Sequence, residues 1–201
     1  MEYENDIRIH RMTPVGDYKF VRLKPNEEPM GNKNAMIDAC VSDPWLISDV
    51  HISSNERRTY EILTTINSVI KPIDRIIFLG DLDDDKGTGS LYLTKKFIEN
   101  INTKHKFLIL GNHDKHLLSD YIDMGFVYVT DTYSCEVYNK KILLSHCPEP
   151  IGKDRINIHG HLHGSGMYWN MNPERHYDVF VGTDECPEPV RMKALLNIGD
   201  E

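Results

Sequence analysis

From Pro44 onward the chain repeats one pattern: a short apolar run stops at a polar or acidic residue, and an amphipathic stretch follows. "WLISDVH" (45–51) reads as a buried strand. The next segment, "ERRTYEILTTINSVI" (56–70), carries Ile62, Leu63, Ile66, Val69 and Ile70 at helical spacing. Asn55 is placed to cap that helix, and Lys71-Pro72 to stop it. "RIIFLGD" (75–81) and "KFLILGNHD" (106–114) are the next strands, with a helix expected over 90–101 and a short one near 115–124. Beyond these, "FVYVTD" (126–131), "YSCEVY" (133–138) and "KILLSH" (141–146) are closely spaced strands, with Asn139-Lys140 as a hairpin turn. "RINIHGH" (155–161) and "YDVFVG" (177–182) complete the series. Alternation first and consecutive strands later predict an α/β domain, with parallel pairing followed by antiparallel pairing and helices outside a two-layer core. With 201 residues, 40% of them hydrophobic, the chain suffices for one domain with a substantial core. Residues 1–43 fit less well. "DYKFVRL" (17–23) is a candidate strand and "KPNEEPMGNKN" (24–34) is loop-like, so 1–43 is expected to be an N-terminal extension packed on a main domain of 44–201.

The charge balance narrows the partners. With 31 acids against 23 Lys plus Arg, the formal charge is −8, which argues against a binder of extended nucleic acid or anionic membrane. A small phosphorylated ligand is compatible with it. Cys40, Cys135, Cys147 and Cys186 are scattered without a C-x-x-C pair, as expected of free thiols in a reducing cytoplasm. The N-terminus is polar rather than a signal peptide, and the longest apolar runs are too short to span a bilayer.

Chemistry collects where the strands end. The first delivers Asp49-Val50-His51, the second Gly80-Asp81 and the third Gly111-Asn112-His113-Asp114. Later strands deliver His146 and Gly160-His161-Leu162-His163. In an α/β sheet, ligands bind beyond the carboxyl ends of strands, so groups far apart in sequence can meet there. Imidazole with carboxylate suits Mn, Fe, Zn, Co or Ni, whereas Ca and Mg prefer oxygen shells. There are more such groups than one ion needs, which favours two ions sharing a carboxylate. His51 or His146 taken alone would be an ordinary polar residue; only the joint pattern argues for a site. Cys147 follows His146 directly, and strand alternation would turn its side chain away, leaving a buried thiol.

In order and spacing, Asp49-x-His51, Gly80-Asp81, Gly111-Asn112-His113-Asp114, His146 and Gly160-His161-x-His163 resemble the calcineurin-like metallophosphoesterase superfamily. The resemblance implies a four-layered α/β/β/α sandwich of two mixed sheets flanked by helices, with the metals at the sheet edge. It implies that Asp49, His51 and His163 hold one metal, that Asn112, His146 and His161 hold the other, and that Asp81 bridges them. The cofactors would be two divalent or trivalent transition metal ions, Mn foremost, with Fe, Zn, Ni or Co as alternatives. The expected reaction is hydrolysis of a phosphodiester or phosphomonoester by in-line attack of a metal-bridging hydroxide, the ions lying roughly 3.5–4 Å apart. His113 would face the phosphate or leaving group as the catalytic acid, and Asp114 would orient it.

Subfamily markers narrow this further. Leu82-Asp83-Asp84-Asp85 lacks the Arg that protein Ser/Thr phosphatases carry after Gly-Asp, and Asp84 stands where purple acid phosphatases have a tyrosine ligand. The compact length resembles small bacterial or phage-type phosphoesterases. Two other functions compete. A nuclease acting on DNA or RNA ends would show steep salt dependence. A non-catalytic scaffold would lack a ligand or the His113 equivalent, and none is missing. His116 and His159 lie close to motif positions and are candidates for supporting roles, and Asp83 or Asp84 for shaping the pocket.

Overall fold

The computed structural model describes residues 28–83, 91–164, 171–183 and 186–199. The candidate strand at 17–23 lies outside these. The elements run β1 (Met30–Gly31), α1 (Lys33–Val41), β2 (Trp45–Ile47), α2 (Glu56–Val69), β3 (Arg75–Leu79), α3 (Leu91–Glu99), β4 (His105–Ile109), α4 (Leu118–Asp123) and β5 (Phe126–Thr130). They continue with β6 (Thr132–Val137), β7 (Lys140–Ser145), β8 (Arg155–His159), β9 (His176–Asp178), β10 (Val181–Thr183), β11 (Cys186–Glu188), β12 (Val190–Arg191) and α5 (Met192–Leu195).

Two mixed sheets carry the site. The larger has the order β1-β5-β4-β3-β2-β12, parallel from β2 through β5 and antiparallel at both margins. The second has the order β6-β7-β8-β9, with β6 antiparallel to β7 and the others parallel. Strand parity divides the core. Ile47, Ile76, Phe78 and Leu108 face outward to Ile62 and Ile66 of α2, Phe97 and Ile98 of α3, and Tyr121 of α4. Their neighbours Leu46, Ile77, Leu79, Phe107 and Ile109 face Ile142, Leu144 and Ile158 of the second sheet. With both faces covered, β3 and β4 read as unbroken apolar runs rather than alternating ones. Met36, Ala39 and Cys40 of α1 and Met192 of α5 join this inter-sheet core.

Local signals explain the boundaries. Asn55 Oδ1 accepts from Arg58 N at 3.2 Å and starts α2. The β6–β7 hairpin turns on Tyr138-Asn139, one residue earlier than expected, with both in the left-handed region at φ 53° and 56°. The stretch read as loop at 24–34 contains β1 and the start of α1, where Asn32 Oδ1 accepts from Asn34 N and Ala35 N. The expected strand at 177–182 is two strands in different sheets, because Asp178 Oδ1 accepts from Phe180 N at 3.0 Å and bends the chain between them.

Candidate metal centre

Each motif residue lies past the end of a strand, and at five of them the backbone is left-handed. β2 ends at Ile47, yet Asp49 N and His51 N still donate to Gly80 O and Asp81 O at 3.0 Å. Asp49, His51, Asp81, His161 and His163 have φ of 57°, 46°, 51°, 70° and 48°. Such a conformation costs a non-glycine residue about 1–2 kcal/mol, and its clustering here marks strain held by the surrounding fold. Arg58 of α2 helps hold it: its Nη1 donates to Val50 O and His51 O, both at 2.8 Å. Close approach does the rest. A Cβ on Gly111 would lie 2.2 Å from Asp81 Oδ1, and one on Gly160 would lie 2.4 Å from Ser48 Oγ and 2.7 Å from Asp49 Oδ2.

The result is one continuous cluster. His163 Nε2 lies 3.3 Å from both Asp49 Oδ1 and His51 Nε2. His146 Nε2 lies 3.2 Å from Asp81 Oδ2, 3.0 Å from Asn112 Oδ1 and 3.2 Å from His161 Nδ1. Asp81 Oδ2 joins the two groups, being also 4.0 Å from His51 Nε2. Asp49, Asp81 and His146 form the buried floor, while His51, His113 and His163 are partly exposed at the open side.

The electrostatics call for a cation. Burial favours the neutral form of Asp49, but His163 and His146 hold its carboxyl below the usual range. Burial opposes ionisation of Asp81 too, and His146, His113 and His51 hold it well below the usual carboxylate range. For His146, burial would lower the pKa, yet Asp81 and Asp49 push it up to about 10. Its Nδ1 meets the Leu79 carbonyl at 2.8 Å and must be the donor there, so neutral His146 points a lone pair at Asp81 Oδ2 and Asn112 Oδ1. One proton can bridge only one of those contacts, whereas a metal ion satisfies them together. Asp49 Oδ1 is buried without a hydrogen-bond partner and faces His163. The residues present therefore fit a metal of the imidazole-and-carboxylate class.

Supporting groups complete the picture. Ser48 Oγ donates to Asp49 Oδ2 at 2.5 Å, and His161 N donates to the same oxygen at 3.0 Å. His51 Nδ1 meets Asp83 O at 3.2 Å, and the Asp83 carboxylate accepts from Thr94 Oγ1 at 2.6 Å and Tyr121 Oη at 3.2 Å. His116 Nε2 is 3.4 Å from Asp83 Oδ2, so it meets the site through Asp83. His113 N donates to Asp81 Oδ1 at 2.9 Å, and its Nε2 lies 3.7 Å from Asp81 Oδ2. Asp114 is fully buried, and burial with the nearby Asp81 and Asp83 pushes its carboxyl up to about 7. Its oxygens accept from the N–H groups of Gly111 and Leu82 at 2.8 Å and Asp83 at 3.3 Å. Asp114 thus ties the turn carrying Asn112 and His113 to the loop after Asp81. His159 is buried behind the turn, with Nδ1 2.9 Å from Gly160 O and Nε2 without a partner.

Three features escaped the sequence reading. Ser48 and Arg58 act through hydrogen bonds that leave no motif. Asn157, buried in β8, clamps the segment around His146: its Nδ2 donates to Leu143 O and Ser145 Oγ at 3.1 and 2.8 Å, and its Oδ1 accepts from Glu149 N at 2.8 Å. Nor is the Cys147 side chain turned away from His146, as strand alternation predicts. Cys147 is buried, but β7 ends at Ser145, so strand alternation no longer applies. Its sulfur and one ring nitrogen each of His146 and His161 lie within 4.8 Å of one another. Asp84 lies outside the described residues.

Carboxylates and imidazoles gathered at the carboxyl ends of strands from two sheets form a candidate metal site on an α/β fold. The family model for calcineurin-like phosphoesterases matches residues 44–185, and the chain belongs to that family. It is therefore a metal-dependent phosphoric ester hydrolase. Among solved structures, the chain is similar to a protein of unknown function from Aquifex aeolicus, at 26% identity and TM-score 0.44, over 60% of this chain and 78% of that one. It is also similar to the E. coli phosphoesterase Yfce, at 18% identity and TM-score 0.43 over 59% and 69%, and to the Pseudomonas putida nuclease MPE, at 21% and 0.39 over 59% of each. Curated proteins show no significant match. Among the described residues, no helix is long and apolar enough to cross a membrane.

Proposed function

We propose that this chain hydrolyses a small phosphodiester, ahead of a phosphomonoester, at a centre of two metal ions. Asp49, His51 and His163 would hold one ion, Asn112, His146 and His161 the other, and Asp81 both. The observation that carries this reading is the place of Asp81 Oδ2, 3.2 Å from His146 Nε2 in one group and 4.0 Å from His51 Nε2 in the other. When bound, the ions supply Lewis acidity toward phosphoryl oxygens and lower the pKa of the attacking water.

The protein groups divide the remaining work. His113, partly exposed and held at its backbone by Asp81, donates a proton to the departing alkoxide. Asp114 keeps that turn in place through the three N–H groups it accepts. Ser48 and the His161 N–H take up Asp49 Oδ2, which leaves Oδ1 for the cation. The net charge of −8 disfavours extended nucleic acid and leaves a small phosphorylated substrate favoured.

Protein reconstituted with Mn²⁺ is expected to hydrolyse a bis-aryl phosphodiester, to lose that activity with a chelator and to bind two ions per chain. Binding of one ion, or turnover that survives the chelator, overturns the proposal. Screening cyclic nucleotides, phosphorylated metabolites and oligonucleotides then identifies the substrate. A steep fall of turnover with salt on oligonucleotides alone would replace the small diester with a nucleic-acid end.

A further inference from the structure

We infer that Cys147 supplies a sulfur donor to the second cation position, alongside His146, His161 and Asn112, and tunes that position toward borderline-soft ions. This inference rests on the two-metal reading above. Its basis is the placement of the thiol: the Cys147 sulfur and one ring nitrogen each of His146 and His161 lie within 4.8 Å of one another. Zn–N distances near 2.0–2.1 Å and Zn–S near 2.3 Å put two donors of one ion at most about 4.4 Å apart. The observed set is close to the size that one ion spans.

The local backbone explains why the sulfur is there. Ser145 Oγ donates to the Cys147 carbonyl at 2.7 Å, and Asn157 Nδ2 donates to the same Ser145 oxygen at 2.8 Å. These bonds curl residues 145–147 into a bend just past the strand, so consecutive side chains no longer point to opposite faces. The Gly160 N–H donates to His146 O at 2.9 Å and brings the His161 turn against that bend. His146 Nε2 and Asn112 Oδ1 lie 3.0 Å apart, so both can turn to one cation at this position.

The chemical consequence is a difference between the two positions. Asp49, His51 and His163 offer oxygen and nitrogen only, a set that manganese accepts readily. A thiolate added to imidazole and amide oxygen shifts preference toward Zn²⁺ or Co²⁺. Binding takes the thiolate form and releases the thiol proton to solvent.

Titrating Co²⁺ into chelator-treated protein tests this without reference to turnover. Wild type is expected to show visible ligand-field bands together with a near-ultraviolet sulfur-to-cobalt charge-transfer band. Cys147→Ser should keep the visible bands and the thermal unfolding midpoint, lose the near-ultraviolet band, and bind Zn²⁺ at one of its two positions at least 10-fold more weakly. Cys186→Ser, remote from the site at Thr65, should match wild type. Visible bands without the near-ultraviolet band in wild type, or a near-ultraviolet band that persists in Cys147→Ser, would overturn the sulfur assignment and leave the two-metal reading standing. Absence of visible bands altogether would overturn both.

Discussion

Replacing Gly111 with alanine isolates one cause, close approach of backbone to a buried carboxylate. Gly111 does not have positive φ, so the new methyl introduces no left-handed strain. It would arrive 2.2 Å from Asp81 Oδ1 and 2.3 Å from Asp81 N, where real Cβ contacts stay above 3.0 Å. Asp81 must therefore retreat by about 0.8 Å or more. Its backbone also accepts from His51 N, so the retreat strains both groups proposed to hold metal. Overpacking of this kind costs about 1–3 kcal/mol in stability. A displacement on the order of 1 Å at a reacting centre lowers turnover about 10²-fold. Calorimetric titration of the chelator-treated protein with Mn²⁺ should show affinity reduced about 10–100-fold, the range seen when groups that orient metal ligands are lost. Gly199→Ala, whose methyl would meet nothing within 4 Å, is the control and should match wild type. If Gly111→Ala binds Mn²⁺ and turns over like wild type, Asp81 is not the group that joins the two halves of the site.

Four further outcomes are expected. His113→Ala should keep two metals by elemental analysis and lose about 10²–10⁴-fold in turnover, whereas Asp81→Asn should lose metal as well; a metal-free His113→Ala would make His113 a ligand. Ser48→Ala removes the hydroxyl donor to Asp49, and its Mn²⁺ affinity should fall about 10-fold with little change in unfolding midpoint. Arg58→Met takes away both bonds to the carbonyls of Val50 and His51, and denaturant unfolding should register a loss of about 1.5–3 kcal/mol. His159, pushed down to about 4 by burial, stays neutral in the fold while the unfolded chain protonates near its ordinary value, so stability falls as pH drops below about 6.5 toward 4. Measured without metal between about pH 7 and pH 5, His159→Phe should be less pH-sensitive than wild type by about 2 kcal/mol. Equal sensitivity would show that His159 is protonated in the fold.

Much of the candidate centre is legible in the sequence. Polar residues that interrupt apolar runs at Asp49, Asp81, Asn112, His146 and His161 were readable as strand ends because a strand buried on both faces tolerates charge only where it stops. Helix α2 was readable because its apolar spacing and Asn55 cap are local properties of the sequence. The division of 177–182 between two sheets was not, since it depends on a side chain bonding its own backbone. Nor was the strand character of Met30–Gly31, which exists through pairing with β5 about a hundred residues away.

The sequence by itself therefore determined the order of elements, the kinds of ligand and the family to which they belong, because periodicity and spacing are written along the chain. Only the tertiary structure decided which oxygen of Asp81 faces both groups, which backbone angles Asp49 and His51 adopt, and how near to His146 and His161 the Cys147 sulfur lies. Those follow from hydrogen bonds such as Arg58 to His51 and Asn157 to Ser145, whose partners are distant or unmarked in sequence and become visible once packing brings them within 3 Å.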